Sequence, residues 1–231
     1  MKKAITLACM LSTSALAFSV HAEDAAISTE QQKFSYAVGY QMAQQLKSQG
    51  IPLDAPAVTQ AVEDVLNNSE LKISVQEMQA AFEGFQQKRA SEMQAISDQN
   101  QKTGDAFLEK NKTEKGIAVL ESGIQYKVLN EGSGKSPTAA DSVTVNYRGT
   151  LIDGTEFDSS YSRGEPATFG LSQVIKGWQE IIPMMKEGSK WQVFIPSKHA
   201  YGPRAVGSTI GPNSTLIFEI ELLSVQAQES P

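Results

Sequence analysis

Proline is spread so unevenly along this 231-residue chain that it divides it in two: none lies between Pro56 and Pro137, whereas six fall from Pro137 to Pro212. Proline lacks an N–H and clashes with the preceding helical turn, so the first half is free to be helical and the second cannot be mostly so. In the first half, Thr29 with Gln32 forms a capping-box pair, and Phe34, Val38, Met42 and Leu46 recur every four residues until Gly50 and Pro52. Asp54 caps a second helix carrying Val58, Val62, Val65 and Leu66, ended by Asn67-Asn68. Ser74 to Glu77 is a further capping box, and no proline interrupts the chain from there to about Lys112. A helix of that length spans on the order of 55 Å at 1.5 Å per residue. Val75, Met78, Ala81, Phe82 and Phe85 form a dense stripe near its start, while Ser97 to Gly104 is polar all round. A helix without an apolar face usually bridges solvent, so the first part is expected to be packed and the later part to be an exposed spacer. Three such helices make a thin core for a lone unit, which predicts pairing with a second copy; the alternative is that they fold back on the second half.

From Gly116 the period changes to two. Ile124, Tyr126 and Val128 alternate with polar neighbours, as do Val143, Val145 and Tyr147, then Trp191, Val193 and Ile195, then Leu216, Phe218, Ile220 and Leu222. These predict half-buried antiparallel strands, with Asp153-Gly154 as a hairpin turn. One helical segment interrupts them from about Lys176 to Met185, where Trp178, Ile181, Ile182 and Met185 share a face. A helix laid on one side of a twisted sheet is an α+β arrangement. Aromatic residues in strands are mostly ordinary core. Those beside glycine- and proline-rich loops, at Phe157-Asp158, at Val174-Ile175 before Trp178 and at Ala200 to Pro203, lie where binding residues concentrate.

What the chain lacks narrows its chemistry. Twenty Lys and Arg against 26 Asp and Glu give a net charge of −6, with no basic excess for a phosphate backbone, so no nucleic-acid partner is expected. Cys9 is the only cysteine, and His21 and His199 are the only histidines. No metal and no cofactor are therefore expected. A Ser-His-Asp arrangement would have to use His199, and no G-x-S-x-G elbow accompanies it; His199 is read as a surface loop residue. Met1 to Ala22 begins with Lys2 and Lys3, runs through an apolar stretch and ends Val20-His21-Ala22, which predicts a secretory signal cleaved after Ala22. Thr6, Ser12, Thr13 and Ser14 interrupt what would otherwise approach a span of about 20 apolar residues. Without these residues the chain has 18 basic against 26 acidic residues and a charge of −8. It is expected in the periplasm, with outer-membrane or surface association left open.

Val145 to Gly149 (VNYRG), Asp153 to Ser160 (DGTEFDSS), Val174 to Trp178 (VIKGW), Ala200 to Gly202 (AYG) and Leu216 to Leu222 (LIFEIEL), in that order, resemble the signature of FKBP-type peptidyl-prolyl isomerases. The helical first half, the signal and Pro166 to Phe169 resemble the bacterial macrophage infectivity potentiator subgroup. The resemblance implies an α+β protein with a signal at 1–22, an all-α dimerisation domain at 23–73 and a long connecting helix at 74–115. An isomerase domain at 116–226, a twisted antiparallel sheet wrapped on a short helix, and a tail at 227–231 would complete the chain. It implies a V-shaped homodimer joined through the N-terminal helices.

Carried over motif by motif, the catalytic residues would be Tyr147, Phe157, Asp158, Ile175, Tyr201 and Phe218. Phe169, Val174, Trp178 and Ile210 would complete the substrate pocket, with the Trp178 indole as floor. The Ile175 amide and the Tyr201 hydroxyl would hydrogen-bond the substrate. Asp158 has two readings: it acts near the twisting amide or orients Tyr147, or it fixes the hairpin end through backbone amides or Arg163. Ala167 stands where small members often carry an aromatic residue, and Gly207 to Gly211 is a loop that varies between members. Implied partners are unfolded proline-containing chains and immunosuppressant macrolide inhibitors. Rotation about an X-Pro bond makes and breaks no covalent bond, which suits a chain so poor in nucleophiles. The expected function is faster X-Pro isomerisation during folding of envelope or secreted proteins, with chaperone activity. The alternative is a holdase whose helical cleft, with Met42, Met78 and Met93, binds unfolded chains while the pocket is incidental.

Overall fold

The structure, a computed structural model, describes residues 27–227. The expected signal at 1–22, with Cys9 and His21, and all but Ala227 of the expected tail lie outside the described residues. The chain divides into two compact units, Met1–Lys72 and Ile73–Pro231.

The first unit holds α1 (Glu30–Ser48) and α2 (Ala55–Leu66). At the start of α1 the Thr29 hydroxyl accepts the Gln32 N–H at 3.2 Å while Gln32 Oε1 accepts the Thr29 N–H at 3.0 Å. This reciprocal pair satisfies donors that every helix start leaves open. Asp54 does the same for α2 by accepting the Ala57 N–H at 2.9 Å. The helix ends follow the turn residues: Gly50 takes φ 65° after α1 and Asn68 takes φ 52° after α2, a left-handed conformation that these two residue types tolerate. Packing is sparse. α1 buries no residue and α2 only Asp64, leaving Phe34 71% and Leu66 75% exposed.

The second unit begins with α3 (Val75–Asn111), opened by the Ser74–Glu77 capping box, in which Glu77 accepts the Ser74 N–H at 2.8 Å. Along α3 the segment expected to be an exposed spacer is docked instead, while the stripe expected to be packed is uncovered in the single chain. Val75 and Phe82 in the apolar stripe are each 69% exposed. The buried residues are Ser97, Gly104 and Leu108, two of them within the all-polar stretch. That stretch docks because its small and amide side chains fit a polar loop, a contact that leaves no apolar period in the sequence.

The sheet is antiparallel throughout, built from β1 (Ala118–Val119), β2 (Gln125–Asn130), β3 (Ser142–Leu151), β4 (Glu156–Ser159), β5 (Ala167–Gly170), β6 (Lys190–Ile195) and β7 (Leu216–Gln226). The order is β1-β2-β6-β7-β3, and the far edge of β3 is shared by β4 and β5. α4 (Ser160–Arg163) follows β4, and α5 (Lys176–Ile181) lies between β5 and β6. The helix expected from Lys176 to Met185 is α5 plus a 3-10 turn at Ile182–Met184. Its Ile181, Ile182 and Met185 are fully buried against Val143, Val145, Val193, Ile195, Leu216, Ile220 and Leu222. Close approach at one point requires glycine: a Cβ on Gly177 would lie 2.6 Å from the Ile195 side chain. On the opposite face Phe194 meets Phe107 of α3 with ring centroids 5.9 Å apart. Beside it, buried Gln125 donates to the Leu108 carbonyl and accepts from Asn111, both at 2.8 Å.

Candidate active site

Three strands and one helix converge at the mouth of this sheet. β3 supplies Tyr147, β4 Phe157 and Asp158, β7 Phe218 and α5 Trp178. Trp178, 4% exposed, stands edge-to-face to Tyr147, Phe169 and Phe218, with centroid distances of 5.3, 5.7 and 5.2 Å. Phe157 meets Phe218 in the same manner at 5.6 Å. Such perpendicular contacts put ring edges against π faces and fix each ring's orientation. Gly149 makes room for them, since a Cβ there would fall 2.6 Å from the Phe157 ring and 2.9 Å from that of Phe218.

These rings enclose a cavity of about 570 Å³, a volume suited to a small ligand or a short peptide segment. All ten residues singled out in the sequence line it: Tyr147, Phe157, Asp158, Phe169, Val174, Ile175, Trp178, Tyr201, Ile210 and Phe218. Gln173 and Val206 line it too and were not anticipated. Gln173 is a polar residue that immediately precedes the Val174 to Trp178 motif without being part of it, and Val206 reaches the site through an isolated bridge to Ile210 inside a loop. Gln179 on α5 donates to the Val174 carbonyl at 2.8 Å, which holds the segment carrying Val174 and Ile175 against the helix.

Polar groups gather at one side of the rim. The Tyr147 hydroxyl donates to Asp158 Oδ2, Arg163 donates to Asp158 Oδ1, and a second Arg163 N–H donates to the Tyr147 oxygen at 2.8 Å. The guanidinium also lies 5.4 Å from the Tyr147 ring centroid, within cation–π range. Both readings of Asp158 therefore meet in one network: the carboxylate orients Tyr147 and is itself tied to Arg163. Burial works against this carboxylate, but the hydrogen bonds from Tyr147 and Arg163 outweigh it and hold the carboxyl below its ordinary range. Burial, then the bond to Asp158, pushes the Tyr147 hydroxyl up. Burial and the Asp158 charge do the same to Tyr201. An ionised Asp158 beside two protonated phenols can orient and polarise, and it has no free proton to give. Neither the Tyr201 hydroxyl nor the Ile175 N–H donates to a protein acceptor among the described residues, so both are available to a bound carbonyl.

His199 lies outside the cavity. It is half-buried, not on the surface as expected, with Nε2 3.1 Å from the Ser122 carbonyl. Among the described residues no group of His, Cys, Asp and Glu is arranged to hold a metal ion.

An aromatic cavity at the open end of an antiparallel sheet wrapped on a short helix has the shape and chemistry to hold an apolar ring without covalent bonding. Comparison with known proteins gives the class its name. Residues 133–223 match the family of FKBP-type peptidyl-prolyl cis-trans isomerases, and residues 31–128 match the domain amino terminal to such isomerases. The chain is 43% identical over 217 residues to the outer membrane protein MIP of Legionella longbeachae, covering 92% of this chain and 93% of that one. It is 40% identical over 204 residues to the peptidyl-prolyl cis-trans isomerase Mip of Coxiella burnetii, covering 87% and 89%. The crystal structure of FkpA from Escherichia coli superposes with a TM-score of 0.61 at 37% identity, covering 87% of this chain and 99% of that one. The chain belongs to the FKBP-type peptidyl-prolyl cis-trans isomerases, in their Mip subgroup, and is an enzyme of that activity.

Proposed function

We propose that the aromatic cavity is the catalytic site and that the ten residues named above act there, with Tyr201 and the Ile175 amide holding the substrate backbone. The single observation behind this is the convergence of those residues on one cavity whose available donors, Tyr201 Oη and Ile175 N–H, find no acceptor among the described residues. Isomerisation requires loss of amide resonance, against a barrier of about 18–20 kcal/mol. The planar amide is the more charge-separated form and loses more hydration on entering an apolar cage than the twisted one. Edge-on rings that fix the prolyl ring while the donors hold the flanking carbonyls therefore favour the twisted state, and only such differential binding accelerates the step. Each tenfold in rate corresponds to about 1.4 kcal/mol. Asp158 keeps Tyr147 oriented and places negative charge at the rim. Immunosuppressant macrolides would compete for the same cavity.

The test is exchange NMR on a short X-Pro peptide. Phe157→Ala is expected to lower kcat/KM at least about tenfold, and Tyr201→Phe about fivefold, the equivalent of one ordinary hydrogen bond. A folded Phe157→Ala protein as fast as its parent would remove the cavity from the mechanism.

The working protein is proposed to be a homodimer of the cell envelope, acting on unfolded proline-containing chains. The uncovered faces of α1 and of the first turns of α3 support a second copy, because monomeric proteins seldom expose so many large apolar side chains. The same exposure supports chaperone activity, with Phe34, Tyr36 and Met42 offered to unfolded clients. The name of one relative, an outer membrane protein, supports a place in the envelope.

A further inference from the structure

The loop from β6 to β7 supplies one side of the cavity. Its outgoing limb carries Tyr201, its tip is closed by reciprocal hydrogen bonds between Val206 and Ile210 at 2.8 and 3.2 Å, and its return limb runs from Gly211 to Thr215. The return limb does not rest on the sheet alone; it is held by α3. Asn100 Nδ2 donates to the Pro212 carbonyl at 2.8 Å, two residues beyond Ile210. Asn213 Nδ2 donates to the Ser97 hydroxyl at 2.8 Å. The Asn213 backbone N–H reaches across the loop to the Gly202 carbonyl at 2.7 Å, next to Tyr201. Asn213 is held in the left-handed region at φ 54°, a conformation asparagine accepts more readily than most residues. One helical turn on, Gly104 faces Thr215, which is 5% exposed; a Cβ at Gly104 would lie 2.4 Å from Thr215 Oγ1 and 3.2 Å from its Cβ.

Ser97, Asn100 and Gly104 are spaced three and four apart and so share one face of α3. This is the segment whose polarity suggested an exposed spacer. A polar stripe that approaches to glycine distance, gives one side-chain amide to the loop and receives one from it is built for one specific surface. We propose that the Ser97–Asn100–Gly104 face of α3 is a positioning element of the isomerase, which by holding residues 211–215 fixes the cavity wall that Ile210 supplies and the limb that carries Tyr201. α3 is then part of the catalytic unit, and turnover depends on a helix that touches no substrate. This inference rests on the reading of the aromatic cavity as the catalytic site.

The experiment uses the full chain. Asn100→Asp keeps the side-chain shape and removes the Nδ2 donors that reach the Pro212 carbonyl and the Ser214 hydroxyl. Gly104→Ala inserts a methyl group against Thr215, whose branched side chain cannot swing clear, while favouring helix at that position. Each variant is assayed by exchange NMR on a short X-Pro peptide, with the Ile210 methyl signal as a reporter and thermal unfolding as a control. Both are expected to lower kcat/KM about fivefold, the factor equivalent to one ordinary hydrogen bond, and to shift the Ile210 methyl resonance. Gly104→Ala should do so without lowering the unfolding midpoint. Adding Thr215→Ala to Gly104→Ala, which removes Oγ1 and Cγ2 from the clash, should restore turnover and the parental Ile210 shift. Turnover and Ile210 signals at parental values in both single variants would overturn the proposal, as would a loss that Thr215→Ala does not repair. Phe157→Ala runs beside them: if it too is as fast as the parent, the cavity reading has failed; if it alone is slow, only the brace has.

Discussion

The two ends of α3 obey opposite rules. Its first three turns carry Val75 and Phe82, apolar and 69% exposed, whereas its last turns carry Ser97 and Gly104, polar or small and buried. Hydrophobicity marks the end left uncovered among the described residues, and at the docked end side-chain size and hydrogen-bonding capacity work beside the apolar Phe107 and Leu108. A helix can therefore serve two interfaces of different chemistry, one closed inside the chain and one open to another molecule. Apolar periodicity marks only the second.

The largest effect should come from the open end. Phe82→Glu replaces a side chain whose burial contributes about 1.5–3 kcal/mol, and a two-fold interface contains it twice. The dissociation constant of the dimer is expected to rise at least about a hundredfold, seen by sedimentation as monomer, with peptide turnover unchanged. A Phe82→Glu protein that is still dimeric would show that this end is not the pairing surface. Loss of aggregation suppression without loss of dimerisation would assign it to clients instead.

The closed end gives the next effect. Leu108 is 8% exposed on the docked face, so Leu108→Ala should cost about 2–5 kcal/mol in denaturant unfolding of the second unit. An unfolding free energy equal to the parent's would mean that the docked end contributes nothing to the fold.

The smallest effect is expected from pH. Ser97, Asn100, Gly104 and the loop residues they meet are all neutral, and the carboxyl group in the cavity wall is Asp158. Its folded carboxyl titrates below the ordinary 3.8. The stability it contributes is thus fully present above that value and is lost only as pH falls through the lower folded one. Peptide turnover should show no Asp158 step between about pH 5 and 8. A step in that range abolished by Asp158→Asn would contradict the ionised network with Tyr147 and Arg163.

Much of the fold was legible because its signals are local. The Thr29–Gln32 and Ser74–Glu77 boxes start α1 and α3 where the sequence puts them, and the alternation from Leu216 to Leu222 matches a buried face of β7. The cavity was legible for a different reason: five ordered motifs carry most of its residues. What stayed hidden depends on contacts between residues far apart in the chain. Asn100 and Pro212 are 112 positions apart, and nothing near either one marks the other. Val206 faces the cavity only because a two-bond bridge folds the loop back on itself. His199 is held by the carbonyl of Ser122, 77 residues earlier.

The way the sheet ends also matters for an enzyme that acts on polypeptides. At one side it stops at β1, a strand of two residues, and at the other the rim of β3 is split between β4 and β5, each of four. Among the described residues the uncovered backbone on either side is short, the longest run on that first side being Lys127 to Asn130 of β2 beyond the reach of β1. A client chain in extended form would otherwise add itself as a further strand and stay there. Short, broken borders leave the proposed aromatic cage, which has room for one ring at a time, as the place where such a chain is held and released.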